Sequence, residues 1–258
     1  MQVNRYTKGL VLTVLFLSQA TIVAAECRTK SDEKTIPLLA LYTSEGCSSC
    51  PPADQWMSAI QQPKNTLSLL AFHVDYWDYI GWKDPFSRAE YSDRQRQIAT
   101  FGGAGFVYTP QFVLNSRDFK GWNNRRLNSA INTTQQLPSR ANLSLDVATE
   151  TDGSMTLKAS AEVVRPADGK KADVFVALYE NGLVSHVQAG ENIGRQLKHD
   201  YVVRQLFGAY PMKDLNPFNK SFTLNPSWKN KVAGAVIFLQ DRANGEIIQS
   251  LTLDFCHE

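Results

Sequence analysis

The chain has 258 residues, of which 43% are apolar and 20% charged. That mixture excludes disordered, fibrous and low-complexity classes. The formal net charge of +2 comes from Arg5 and Lys8, so the chain beyond residue 25 is neutral and offers no electrostatic footprint for nucleic acid and no basic patch for an anionic membrane.

The length suits one large or two modest domains. Residues 1–25 read as a signal peptide: Arg5 and Lys8 form a basic start, Gly9–Leu17 an apolar stretch, and Val23-Ala24-Ala25 a small-residue cleavage site. The alternative is an uncleaved anchor, against which the shortness of the apolar stretch argues. Glu26 before Cys27 does not suit lipidation. The mature protein is expected to be periplasmic or secreted, with no stable membrane insertion.

Residues 26–35 are polar and read as a mobile lead-in. Residues 36–42 form an apolar run bounded by turn residues, the pattern of a buried strand. After Cys47-Ser48-Ser49-Cys50-Pro51-Pro52, residues Trp56, Met57 and Ile60 recur at helical spacing. A second buried strand is expected over 67–75 and an aromatic-rich connection over 76–86. Ser87 and Glu90 have capping-box spacing for a helix running to about Thr100. A glycine loop over 101–107 lacks the Lys-Ser/Thr of a phosphate loop. It leads through Tyr108-Thr109-Pro110 to a strand over 111–115, a short return and a helix over 122–136. Residues 36–137 thus alternate as an α/β unit.

From Leu137-Pro138-Ser139 onward, alternating apolar residues dominate, punctuated by Thr151-Asp152-Gly153, Asn181-Gly182 and Asn244-Gly245. Residues 138–258 therefore read as an antiparallel β-sandwich-like domain, with Asn-Gly steps as hairpin cues. Residues 194–208 fit a strand or a helix equally well. His186, His199 and His257 are too scattered in sequence to suggest a metal cluster, and no Gly-x-Ser-x-Gly supports a serine hydrolase.

Four cysteines allow three pairings. We favour Cys47–Cys50 as a working pair and Cys27–Cys256 as a staple between the mature ends; the alternative leaves Cys27 and Cys256 unpaired. A Cys-x-x-Cys pair also suits half of a zinc site, but the chain has no second such pair. A cysteine at a helix N-terminus meets free N–H groups and the positive end of the dipole, which favour thiolate. Proline is tolerated in the first helical turn, so Pro51 and Pro52 place the cap at Ser48 or Ser49. Cys47 then lies just outside, accessible, as the attacking thiol, and Cys50 resolves the mixed disulfide.

The strand, Cys-x-x-Cys, helix order and the later Thr109-Pro110 before a strand resemble the thioredoxin superfamily. Residues 42–54, 73–79 and 81–86 resemble more closely a family of secreted thioredoxin-like proteins of largely uncharacterised role; Gly190-Glu191-Asn192 and residues 199–204 resemble that family's second domain. The resemblance implies a thioredoxin-like fold with Pro110 in cis beside the cysteines and Thr109 backbone groups open to an extended substrate. It is incomplete. Leu41 stands where thioredoxins carry a buried acid, Gly46 where they carry an aromatic residue, and Ser48-Ser49 where they carry Gly-Pro. Asp75 or Glu45 is left as the proton acceptor.

Two functional readings follow. The first is an exported thiol–disulfide oxidoreductase acting, without a bound cofactor, on protein or small-molecule thiols and disulfides. Cys47, Cys50 and Pro110 form its reactive set, and Tyr108, Thr109, Trp77 and Trp82 line its substrate groove. The second is a metal-handling or partner-binding module, with Cys47, Cys50 and His73 as Cu(I) ligands or the cysteines as a static bond.

Overall fold

The computed structural model describes Met1 and residues 26–63, 65–149, 154–224 and 232–256. The expected signal peptide, Met1 apart, and the Thr151-Asp152-Gly153 turn lie outside the described residues. Among the described residues, no helix is long and apolar enough to cross a membrane.

The first half contributes β1 (Glu26–Lys30), β2 (Leu38–Thr43), α1 (Pro51–Ser58), β3 (Ser68–His73), α2 (Ala89–Phe101), β4 (Gln111–Leu114), β5 (Arg117–Asp118) and α3 (Asn124–Thr134). Then follow β6 (Ala141–Thr149), β7 (Met155–Val163), the short α4 (Pro166–Gly169), β8 (Ala172–Glu180), β9 (Leu183–His186), β10 (Gln196–His199), β11 (Val202–Pro211), β12 (Phe218–Leu224), β13 (Ala233–Asp241) and β14 (Ile247–Asp254).

One sheet of eight strands runs β14-β13-β8-β11-β3-β2-β4-β5 and takes strands from both sides of residue 137. The two sets meet where β11 lies parallel to β3, with Val202 opposite Ala71 and the Ala71 N–H donating to the Tyr201 carbonyl at 2.8 Å. β2 is parallel to β3 and antiparallel to β4. Because β2 and β3 are covered on both faces, every residue in each is buried, and their sequences are apolar runs rather than alternations. On one face Leu39, Leu41 and Ala71 pack with Met57 of α1 and with Leu127 and Ile131 of α3. On the other, Tyr42, Leu70 and Phe72 pack with Tyr91 and Ile98 of α2. That second core continues through Ala177, Tyr179, Val236 and Phe238, so α2 covers strands from both halves.

The alternate residues Val174, Val176, Leu178, Ile237 and Leu251 face a four-stranded sheet of order β1-β6-β7-β12 and form a third core with Leu143, Leu145 and Leu157. Arg140, just before β6, donates to Asp168 of α4 at 2.7 Å and to Glu246 before β14 at 2.7 Å, tying this layer together at its edge.

Three local expectations are corrected. Residues 26–35 are not a loose lead-in: β1 pairs with β6 over five residues, and Cys27 is bonded to Cys256, 229 residues away, with Cα atoms 5.8 Å apart. Ser87 does not cap α2; its hydroxyl donates instead to Asp78 at 2.8 Å and to the Asp84 carbonyl at 3.0 Å, so the helix begins at Ala89. Asn181-Gly182 does not join paired strands, because both edges of β8 are taken by β11 and β13. The chain instead leaves the sheet, and β9 pairs with β10. Asn244-Gly245 does join paired strands, β13 and β14. The ambiguous stretch 194–208 is two strand segments, β10 and the first part of β11.

The hydrogen bond from Arg140, outweighing burial, with help from Arg165, holds the Asp168 carboxyl below its ordinary range. A depressed carboxyl stabilises the fold above its unfolded pKa and loses that contribution as pH falls through the folded value. Asp168→Asn is expected to cost about 2 kcal/mol in urea unfolding at pH 7 and to flatten the loss of stability below about pH 4. Equal costs at pH 7 and pH 2.5 would show that the charge contributes nothing.

Candidate functional site

The cystine Cys47–Cys50 closes the loop between β2 and α1, with Cα atoms 5.4 Å apart. Cys50 is the N-cap residue and Pro51 and Pro52 are the first two helical residues, so the helix starts later than a Ser48 or Ser49 cap would place it. The two prolines carry no N–H, and the N–H groups of Ala53 and Asp54 both turn back to the Cys50 carbonyl at 2.9 and 3.2 Å. The helix therefore offers its dipole to the sulfurs, not a ring of open donors. Ser49 supplies a local group instead: its hydroxyl lies 3.3 Å from Cys47 Sγ.

The expected accessibility is also corrected. Cys47 and Cys50 are 1% and 0% exposed, while Ser48 and Ser49 between them face solvent. The segment joining β9 to β10 lies against this loop. Glu191 accepts from the Ser48 N–H at 2.9 Å, and those bonds from Ser48 lower the pKa of its carboxyl. Asn192, fully buried, donates its side-chain amide to the carbonyls of Glu45 at 2.8 Å and Cys47 at 3.0 Å.

Beneath the cystine loop lies a buried polar cluster. Glu45, 0% exposed, accepts from Trp82 Nε1 at 2.7 Å and lies 3.1 Å from His199 Nε2. Asp54, four residues beyond Cys50 on α1, accepts from the Thr43 hydroxyl at 3.1 Å and lies 3.7 Å from His199 Nδ1. His73, the last residue of β3, is 2.7 Å from Asp84 through Nδ1, and its ring packs edge-on against His199 with centroids 4.9 Å apart. Asp84 also accepts from the N–H groups of Glu45 and Phe86, each at 2.9 Å. Burial raises the Asp84 carboxyl, but the charge and hydrogen bond of His73 outweigh it and hold the group below its ordinary value. Burial pulls the His199 imidazole down; the hydrogen bonds and charges of Asp54 and Glu45 outweigh it and lift the pKa to about 10.

Of the two acids offered as proton acceptor, Glu45 sits in this cluster. Asp75 is turned toward α2, where it accepts from the Ser92 hydroxyl. Trp82 reaches the cluster through Glu45. Trp77 packs on Gly46, with its Cβ 3.0 Å from where a glycine Cβ would stand, and donates to the Thr109 hydroxyl at 2.7 Å. It thereby joins the cystine loop to Thr109–Pro110, a cis peptide leading into β4. Tyr108 points away, donating its hydroxyl to Asp118 at 2.7 Å, and its carbonyl is taken by Gln95. Cys27 and Cys256 are bonded to each other.

Sequence reasoning passed over Asp54 and Asn192. It also set His199 aside as isolated, whereas β10 lies beside α1 and brings it between Asp54 and Glu45. The only available signal was the pairing of residues 190–192 and 199–204 with the cysteine motif in one family pattern.

Residues 38–240 match a protein family described as a protein of unknown function, DUF1223, and the chain belongs to that family. No curated protein matches it. Among solved structures, it resembles protein AGR_C_4864 from Agrobacterium tumefaciens at 24% identity and a TM-score of 0.61, over 88% of this chain and 100% of that one. It also resembles HBP35 of Porphyromonas gingivalis at 14% identity and a TM-score of 0.61, over 86% of this chain and 76% of that one. At these identities, the likenesses bear on the fold alone.

Asn192→Ala removes two hydrogen bonds to buried carbonyls and is expected to cost about 2 kcal/mol. Reduction of Cys47–Cys50 by dithiothreitol, followed by mass spectrometry after alkylation, should become at least about fivefold faster. An unchanged rate would mean that Asn192 does not guard the cystine.

Proposed function

We propose that the protein is an exported thiol–disulfide oxidoreductase of thioredoxin-like architecture, working through Cys47 and Cys50. The observation that carries this reading is the cystine closed across two residues at the start of α1. The order β2-α1-β3-α2-β4-β5-α3, with β2 parallel to β3 and β4 and β5 antiparallel, supports the architecture. Two disulfides and the leader-like residues 1–25 support an oxidising compartment outside the cytoplasm.

A substrate thiolate attacks Cys47 Sγ; a new S–S bond forms, the Cys47–Cys50 bond breaks, and Cys50 leaves as a thiolate. A second substrate thiolate then attacks the substrate sulfur, and Cys47 leaves as a thiolate beside the Ser49 hydroxyl. The substrate loses two electrons and the cystine gains them. The reverse sequence reduces a substrate disulfide. Glu45 and His199 lie two residues from Cys47 in sequence and beside α1 respectively, as a buried acid–imidazole pair able to hold the proton that a thiol releases or a thiolate takes. Because both cysteines are buried, attack requires Glu191 and Asn192 to withdraw from the loop. Thr109, Trp77 and Trp82 then border the opening, where the partner would be a peptide or small thiol.

The same burial favours a second reading, a static bond that holds the β2–α1 loop. Redox titration separates them. The oxidoreductase reading expects a reversible couple for Cys47–Cys50 between about −120 and −270 mV, and the static reading expects one below about −300 mV. Cys50→Ser, expressed in the native compartment, is expected to trap covalent adducts through Cys47. Absence of adducts together with a potential below that threshold would reject the enzyme.

A further inference from the structure

The buried cluster holds a feature that thiol chemistry does not use. His73 Nδ1 faces the Asp84 carboxylate at 2.7 Å and His199 Nε2 faces Glu45 at 3.1 Å. Those contacts occupy one nitrogen of each ring and leave the other turned away from its acid. Those other nitrogens, His73 Nε2 and His199 Nδ1, are fully buried and have no hydrogen-bond partner. The two rings and the Asp54 carboxylate form a triad in which one ligand atom from each residue lies within 4.8 Å of the others, in residues no more than 6% exposed. A divalent cation placed among them would give both nitrogens and the carboxylate a partner at once.

We propose that Asp54, His73 and His199 form a binding site for a divalent transition-metal ion, with zinc as its probe. Two imidazole nitrogens and one carboxylate oxygen are a familiar zinc donor set. Each histidine already hands its second nitrogen to a carboxylate, the outer-shell arrangement that orients metal-bound imidazoles and raises their basicity. Zn–N and Zn–O bonds of about 2.0–2.2 Å place tetrahedral ligand atoms about 3.4 Å apart. The Asp54–His199 separation of 3.7 Å is close to that, and a pair at the full 4.8 Å spread must draw in by about 1.4 Å. The ion has a route in: Asp54 and His199 line a cleft of about 260 Å³ between α1 and β10.

All three ligands are in place with both disulfides closed, so the inference stands apart from the redox reading. The test uses the full chain in its oxidised form and a Cys47→Ser/Cys50→Ser variant, each stripped with chelator and titrated with Zn²⁺ by calorimetry. One ion per chain is expected in both, with a rise in thermal midpoint on saturation. His73→Ala should weaken binding by more than about 100-fold, and Glu45→Gln, which alters an outer partner, by about 10-fold. Should His73→Ala fail to fold, Co²⁺ spectra of the wild-type chain still decide the matter. Visible ligand-field bands without a near-ultraviolet sulfur-to-cobalt band support nitrogen and oxygen ligands. Zinc binding that disappears in Cys47→Ser/Cys50→Ser, or no binding above that of Asp54→Asn, would overturn the site.

Discussion

Glu45 holds its carboxylate with no exposure to water, and the arrangement around the cystine is the answer to that single constraint. A buried charge is tolerated only when it is paired and hydrogen-bonded. The partners of Glu45 come from far along the chain: Trp82 from the connection before α2, and His199 from β10. Asp54 and Asp84 extend the same demand to α1 and to the turn before α2. Satisfying these acids draws β10 onto α1, seats Asn192 on the loop carbonyls and fixes His73 against Asp84. The cystine is thereby enclosed by a segment that follows it by about 140 residues in the chain.

The enclosure depends in turn on how the sheet is continued. β11 joins β3 through a parallel pairing at Val202 and Ala71, and Tyr201 lies two residues from His199. The eight-stranded sheet thus carries the β9–β10 excursion to the helical end of β2 and β3, where α/β proteins place their sites. α2 secures this join from one face, with the Arg94 guanidinium buried among Phe72, Phe175 and Phe238, rings drawn from three strands. The remaining strands form the second layer, closed at its edge by Cys27–Cys256.

Chemically, the site combines a disulfide with a carboxylate–imidazole cluster beneath it. The prolines after Cys50 limit what the helix end can donate, and Ser49, Glu45 and His199 supply the polar groups around the cystine. They come from the loop itself and from a distant hairpin.

The amino-acid sequence by itself determined most elements between residues 36 and 137. Two-faced burial leaves unbroken apolar runs in β2 and β3, Pro51 and Pro52 mark a helix start, and Asn123 caps α3 by accepting from Arg126 N–H. These signals are local, carried by neighbouring residues along the chain. The sequence likewise singled out Cys47, Cys50, Glu45 and His73 by type and spacing. Only the tertiary structure decided that Asp75 turns to α2, that both sulfurs are covered, and that His199 and Asp54 meet His73. Those outcomes depend on strand order, on which edges of β8 were already occupied, and on where buried charges could find partners. The pairings made by Asn192 and His199 join residues more than a hundred positions apart, and no periodicity or local motif encodes them.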